Sequence, residues 1–366
     1  MAALRQLNDD LGYGERLCRT PPRDQFPATG FESLRGSSPG CSSCTPTRRA
    51  RQLEGSKRPK LVSIQSPSYK SLQIDLHNQI AVVTGGGRGI GRAIALRLAG
   101  AGAKVAVVAR SENEIAETSR LIQQSGGEAK PFRGDVTNAD VMSAMFAEIE
   151  HTFGPVSILV NNAGSIGPIA PFWETPIEDW WRVLDVNLRG AALCSQLVLP
   201  GMVARRHGRI INLISGGAAF SLTYFSGYIA SKVALARFSE VLAAEVKPYC
   251  ISVFPLAPAT VRTAMSEYSL NSAEGKKWIP WFTRIFDDGL TVSAEHVAEF
   301  AAQLASGNAN ALSGRFLSVT DDLELLLRSM AEIEQENLYS LRVRKLASAI
   351  SSTKLDVTRK TAEQAR

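Results

Sequence analysis

Ile80-Ala81-Val82-Val83-Thr84-Gly85-Gly86-Gly87-Arg88-Gly89-Ile90-Gly91 runs from a short β-branched segment into a cluster of glycines. The segment predicts a buried strand. Ala93, Ile94, Leu96 and Leu98 then start a helix that stops near Gly100-Ala101-Gly102. Strand, glycine turn and helix in succession are the setting that a dinucleotide-binding turn requires. Gly85, Gly89 and Gly91 permit a tight turn whose backbone N–H groups approach a pyrophosphate, with Ile90 at the head of the helix. The helix N-terminus adds a partial positive charge. A purely structural turn is the alternative, and the chain downstream weighs against it.

Lys104-Val105-Ala106-Val107-Val108-Ala109-Arg110 reads as a second strand and its exit. In a site for NAD, an acidic residue here would bond the ribose 2′-hydroxyl. The sequence offers Arg110 instead, and Arg88 inside the glycine turn is a second guanidinium. Guanidinium groups suit a 2′-phosphate far better than a bare hydroxyl, so NADP(H) is favoured over NAD. Glu112–Gln124 reads as a helix, 129–133 as a strand, 138–151 as a helix, and 156–160 as a strand running into Asn161-Asn162-Ala163-Gly164. Regular alternation implies right-handed crossovers and an α/β fold: one Rossmann-type doubly wound parallel sheet flanked by helices. Ligands bind such sheets at the carboxyl ends of the strands. Asp135 and Asn161 fall on that edge, although Asp135 suits a helix cap equally well.

Tyr228-Ile229-Ala230-Ser231-Lys232 lies within a helical pattern of Ala230, Val233, Ala234, Phe238, Val241 and Leu242. Residues four apart share a helix face. An ammonium beside a phenol lowers the phenol's pKa, and a phenol that exchanges its proton near neutral pH is a general acid/base. Alone the spacing is a weak signal, because such pairs are common on solvated helices. Tyr224 is a decoy, since the residue four further on is Tyr228 and not a lysine.

The chain has 366 residues, 45% hydrophobic and 21% charged, which is ordinary for a globular protein with material for a core. Its net charge of +6 is uneven: residues 1–60 carry eleven Lys/Arg and six Asp/Glu, while the remainder carries thirty and twenty-nine. The near-neutral remainder argues against a nucleic-acid surface. No run of about 18 apolar residues occurs, so no membrane span is expected. Cys18, Cys41, Cys44, Cys194 and Cys250 form no disulfide framework. Cys41 and Cys44 have metal-ligand spacing but lack a second pair, so no metal site is expected. Cys194 and Cys250 read as small buried hydrophobes, in a reducing compartment. Residues 1–75, rich in Arg, Ser, Pro and Gly, are expected to form a disordered tail. Its Arg and Ser content suits a mitochondrial transit segment, but Asp9, Asp10 and Glu15 count against that, so the cytoplasm is the first expectation.

Taken together, the Thr84-to-Gly91 turn, Asp135-Val136, Asn161 to Gly164, Asn187, Ser215 and the Tyr228/Lys232 pair resemble the short-chain dehydrogenase/reductase family. The resemblance holds in order and spacing across about residues 76–320, which would be the catalytic domain. It implies NAD(P)-dependent hydride exchange between an alcohol and a carbonyl. Tyr228 would be the acid/base, and Lys232 would lower its pKa and hold the nicotinamide ribose. Ser215, thirteen residues before Tyr228 at the end of a strand over 209–214, would bond the substrate oxygen. Asn187 would help a proton relay through water. Gly85, Arg88, Gly89, Ile90, Gly91, Arg110, Asp135, Val136 and Asn161 would hold the cofactor together with Tyr228, Lys232, Val261 and Thr263. Within that set Asp135 would face the adenine, Asn161 would line the channel, and Val261 and Thr263 would bind the carboxamide. A small-molecule substrate and a homo-oligomer, dimer or tetramer, are also implied.

One departure concerns Pro258-Ala259, where the family often has Pro-Gly. If that position needs a positive φ, Ala259 costs about 1 kcal/mol or the turn differs. Residues 262–290 would cover the substrate and carry Tyr268, Trp278, Trp281, Phe282 and Phe286. Such aromatics suit a bulky apolar substrate, or else pack the cover onto the core. Phe172 and Trp173 share that ambiguity. Asp321 to Glu324 opens a helix whose apolar positions continue to about Leu346, a C-terminal helical extension over 321–346 ahead of a disordered end at 347–366. That ending is similar to tails of fungal family members often found in secondary-metabolite pathways. An epimerase or dehydratase using the same cofactor, or a non-catalytic NADP-binding scaffold, are the alternatives. A scaffold has no chemical need for Asn187, Ser215, Tyr228 and Lys232 together.

Overall fold

Every residue of Ile80–Thr84 is buried, because this strand is covered on both faces. Successive side chains alternate between those faces. Ala81 and Val83 join Ile94, Leu98, Phe300 and Leu304 in one cluster. Ile80 and Val82 join Met142, Ile149, Cys194 and Val198 in another. These contacts come from a computed structural model of the chain, which describes residues 74–343. The expectations of disorder for the two tails, apart from residues 74–75, lie outside the described residues.

The strands are β1 (Ile80–Thr84), β2 (Lys104–Ala109), β3 (Glu128–Arg133), β4 (Ile158–Asn161), β5 (Gly208–Leu213), β6 (Ile251–Ala257) and β7 (Leu317–Ser318). All pair in parallel, in the spatial order β3-β2-β1-β4-β5-β6-β7. The helices that link the first six strands are α1 (Gly89–Gly100), α2 (Glu112–Gln124), α3 (Ala139–Phe153), α4 (Ile177–Leu184), α5 (Gly190–Arg205) and α6 (Ser226–Val246). After β6 come α7 (Ala264–Asn271), α8 (Ala273–Trp278), α9 (Thr283–Asp287) and α10 (Ala294–Ser306). The extension beyond β7 is α11 (Leu323–Arg328) and α12 (Met330–Gln335). Residues of α1, α2 and α10 cover one face of the sheet, and those of α3 and α5 cover the other. The chain reverses its direction of winding between β1 and β4, which opens a crevice at their carboxyl ends.

Two sequence expectations need correction. Among the described residues the C-terminal extension is helical only to Gln335, because Asn337 and Tyr339 take left-handed φ values of 50° and 53°; the expectation for 344–346 lies outside the described residues. The chain then lies along the sheet edge, where the Tyr339 carbonyl accepts the Phe316 N–H at 2.7 Å. Cys250 is exposed rather than buried, since a left-handed turn (φ 56°) carries it outward just before β6. Ala259 takes a left-handed φ of 55°, so the position does require a positive φ.

A left-handed alanine costs about 1–2 kcal/mol. Glycine there returns about 0.4–1 kcal/mol through unfolded-state entropy. Ala259→Gly is therefore expected to raise the unfolding free energy by about 1 kcal/mol, measured by denaturant titration; a lower midpoint would contradict the strain.

Candidate active site

Gly85 takes φ 63°, the left-handed region that glycine enters freely. Gly91 passes so close to the Gly85 carbonyl that a Cβ would stand 2.2 Å from its oxygen. The turn is braced from β4, whose last residue pairs with Thr84 of β1. Asn162 Nδ2 donates to the carbonyls of Thr84 (3.0 Å) and Gly85 (3.1 Å). Thr84 Oγ1 accepts the N–H groups of Asn162 and Ala163, each at 3.1 Å. Arg92 donates through Nε and Nη2 to the Gly87 carbonyl at 3.0 and 2.5 Å. Asn162, Thr84 and Arg92 escaped the sequence reading as bracing groups, because only the β1–β4 pairing brings the two turns together. The helix behind this turn, α1, has no side-chain cap and no acidic residue in its first turn. Its first N–H groups and its dipole fit a pyrophosphate.

Arg88 and Arg110 flank this turn as exposed side chains, and each faces a carboxylate. Arg88 Nη1 is 3.2 Å from Glu114 Oε1, and Arg110 Nη1 is 3.7 Å from Asp135 Oδ2. Asp135 accepts the N–H and hydroxyl of Thr137 at 3.0 and 2.8 Å, while Asn138 caps α3. Burial pushes the Asp135 carboxyl up, but Thr137 and then Arg110 outweigh it and hold the pKa below its ordinary value. Thr263 caps α7, and its Cγ2 lies 3.3 Å from where a Cβ of Gly89 would stand. Val261 is buried and bridges Val292. Val136 packs against Gly190, and Asn161 donates to Asn212 Oδ1 (2.8 Å), Ser195 Oγ (3.2 Å) and the Ala191 carbonyl (3.3 Å). Strand alternation places Asn161 on the α5 side of the sheet, where buried amides need partners.

The proton-handling residues converge at the carboxyl end of β5. Lys232 is buried, and its Nζ donates to the Leu213 carbonyl at 2.7 Å and stands 5.8 Å from the Tyr228 ring centroid. Ser215 is hydrogen-bonded to the Tyr228 phenol, and its Oγ also accepts the Gly217 N–H at 3.2 Å. Asn187 sits in a π-helical turn, Asp185–Arg189, between α4 and α5. Such turns insert one extra residue and recur at functional sites. Asn187 Nδ2 donates to the Ser165 carbonyl and to Ser231 Oγ, both at 2.9 Å, and its Oδ1 accepts the Ser165 N–H at 2.7 Å. Ser231 in turn donates to the Tyr228 carbonyl at 2.6 Å. The Asn187 side chain thus ties the loop after β4 to α6. Trp180 Nε1 fixes the start of α6 by donating to Ser226 Oγ at 3.1 Å.

Burial raises the Tyr228 phenol and the Ser215 bond opposes it, with a net upward shift. Burial pulls the Lys232 ammonium down from 10.5 to about 8. Withdrawal from water penalises both charged forms, so the net shift of the phenol is upward and that of the ammonium downward. Trp278, Trp281 and Phe282 pack with Ile169, Tyr224 and Tyr228 in one apolar cluster. Phe172 and Trp173 are 56% and 80% exposed and lie outside it.

The family described as short chain dehydrogenase matches residues 79–274. The chain belongs to the short-chain dehydrogenase family. A short chain dehydrogenase of Pseudocercospora fijiensis is 37% identical over 195 residues, 53% of this chain and under two thirds (63%) of that relative. The 3beta-hydroxysteroid dehydrogenase 1 of Eggerthella lenta is 34% identical over 253 residues, 69% of this chain and 95% of that one. Among solved structures, a 7 alpha-hydroxysteroid dehydrogenase complexed with NADH and 7-oxo glycochenodeoxycholic acid aligns with TM-score 0.61 and 31% identity, covering 68% of this chain and 95% of that one. A gluconate 5-dehydrogenase from Burkholderia cenocepacia in complex with NADP and tartrate aligns with TM-score 0.60 and 30% identity, covering 67% and 94%. This short-chain dehydrogenase thus shares its family fold with the dehydrogenases named above. Among its described residues no helix is long and apolar enough to cross a membrane.

The Lys232 shift sets a pH window. Its folded pKa of about 8 lies below the ordinary 10.5, so the unfolded chain binds more protons between those values. The stability contribution is present above 10.5 and lost as pH falls through about 8. The stability of the cofactor-free wild type relative to Lys232→Met is expected to rise across that window by an amount on the order of 3 kcal/mol. Parallel stability curves for the two proteins would contradict the burial.

Proposed function

We propose that the chain interconverts a bulky apolar secondary alcohol and its ketone, with NADP(H) as the preferred cofactor and Tyr228 as the acid/base. The observation that carries this reading is the meeting of Ser215, Tyr228 and Lys232 at the end of β5. That place adjoins the braced glycine turn through Gly164, where a Cβ would stand 3.3 Å from Asn187 Oδ1 and 3.8 Å from Lys232 Nζ.

The cofactor supplies or accepts the hydride when bound. Ser215 holds the substrate oxygen beside the Tyr228 hydroxyl. In the reductive direction Tyr228 releases its proton to that oxygen, and in the oxidative direction it takes the proton back. The Leu213 carbonyl holds the Lys232 ammonium next to the ring, where positive charge favours the phenolate that forms. Asn187 and Ser231 fix the backbone of Tyr228 during these steps. The NADP preference is supported by Arg88 and Arg110, whose exposed guanidinium groups can exchange Glu114 and Asp135 for a 2′-phosphate. The apolar cluster around Tyr228 supports a bulky apolar substrate. The hydroxysteroid substrates named for two relatives point the same way. Residues 76–320 are taken as the catalytic domain, working as a homo-oligomer, with the cytoplasm as the first location to test and a mitochondrial one as the second.

Tyr228→Phe is expected to lose nearly all ketone reduction, with a fall of about 10²-fold or more, while NADPH titrated by fluorescence still binds. Full turnover would remove Tyr228 as the acid/base. In the same titration Arg110→Ser is expected to weaken NADPH about tenfold and leave NADH unchanged; equal effects on both would remove the 2′-phosphate role.

A further inference from the structure

Tyr224 stands outside the proton-handling set, yet it is held in a strained conformation. Its φ is 68°, a left-handed value that bulky side chains rarely adopt. Residues kept in such conformations are over-determined by their surroundings and cluster at clamps and switch regions. The surroundings here are specific. The Tyr224 ring lies 5.1 Å from the Trp278 ring, with the planes 36° apart. Its carbonyl accepts the Ala170 N–H at 3.2 Å. Three separate segments therefore meet at one residue: the loop after β4, the segment between Ser215 and α6, and the cover that carries α8. Those are the segments whose Ile169, Tyr228 and Trp278 share one apolar cluster. Ile279, next to Trp278, is buried in the same cluster, so the cover is seated against Tyr224 and does not merely drape over it.

We propose that Tyr224 and Trp278 form an aromatic latch that holds the cover over Tyr228 and selects ketones and secondary alcohols borne on flat ring systems over short aliphatic ones. The selection follows from shape and entropy. A tilted pair of rings in the apolar cluster that includes Tyr228 offers a rigid apolar wall, which a planar ring system meets over a large area. A rigid ring substrate also loses little conformational freedom there, whereas a small ketone leaves the wall uncovered. The left-handed backbone at Tyr224 is what aims its ring at the cover. The substrate preference rests on the reductase reading above, while the latch itself does not.

The test compares wild type with Tyr224→Asn, Trp278→Ala and Tyr224→Phe. Asparagine tolerates the left-handed backbone and removes only the ring, and phenylalanine keeps the ring. Hydrogen exchange of the segment 272–287 is measured in the cofactor-free chain, with β1 and β4 as internal references. Tyr224→Asn and Trp278→Ala are expected to speed exchange in that segment about tenfold, with no change in the two strands, and Tyr224→Phe is expected to match wild type. The ratio of kcat/KM for 1-tetralone to that for 2-butanone is expected to fall about tenfold in the first two variants, with NADPH affinity unchanged. Unaltered exchange in Tyr224→Asn overturns the latch, whether or not any ketone is reduced. Faster exchange with an unmoved ratio overturns the substrate selection. A wild type that reduces neither ketone, while exchange still rises in Tyr224→Asn, overturns the reductase reading and upholds the latch.

Discussion

The bond from Lys232 Nζ to the Leu213 carbonyl is the contact on which the rest of the site depends. An ammonium withdrawn from water is costly, and a single carbonyl at 2.7 Å is the partner that makes it tolerable. That carbonyl belongs to the last residue of β5, and the first turns of α6 bring Lys232 against it. Once Lys232 is anchored there, Tyr228 on the same helix is placed beside Ser215, two residues beyond Leu213. Asn187 and Ser231 complete the arrangement by fixing the backbone of Tyr228 against the loop after β4. Burial then tunes both groups, lifting the phenol and bringing the ammonium down to about 8.

The cofactor side obeys a comparable constraint. The Gly85–Gly91 approach leaves no space for a side chain, and the carbonyls that the turn exposes are taken up by Asn162 and Arg92. Beneath it, Asn161, Asn212, Ser195 and Ser239 form a buried polar network that links β4, β5, α5 and α6. Such networks specify one register where apolar packing alone tolerates sliding. The two halves of the site are therefore held together from below the sheet as well as from its edge.

Much of this was legible in the chain itself. The continuous apolar run Ile80–Thr84 and the regular alternation after it announce a parallel sheet buried on both faces. The i to i+4 placement of Tyr228 and Lys232 survives unchanged, since it depends only on helical periodicity. What depends on three dimensions was not legible. The orientation of Asn161 follows from strand register, and the direction of the Tyr228 shift follows from burial. Ala259 raised a question that only the backbone answers, namely that the position is left-handed and strains the alanine. The extension reads as helix to Leu346 because its leucines keep helical spacing, but left-handed Asn337 and Tyr339 end it and the edge of β7 claims the chain.

The central claim is hydride exchange at a carbon whose oxygen Tyr228 serves. Its most direct measurement is the fate of deuterium when 1-tetralone is reduced with NADPH deuterated at the transferable C4 position. The account predicts an alcohol carrying one deuterium on the carbinol carbon, with the hydroxyl proton drawn from solvent. An alcohol without that deuterium, or a product formed by epimerisation or loss of water with the cofactor label retained, would contradict it.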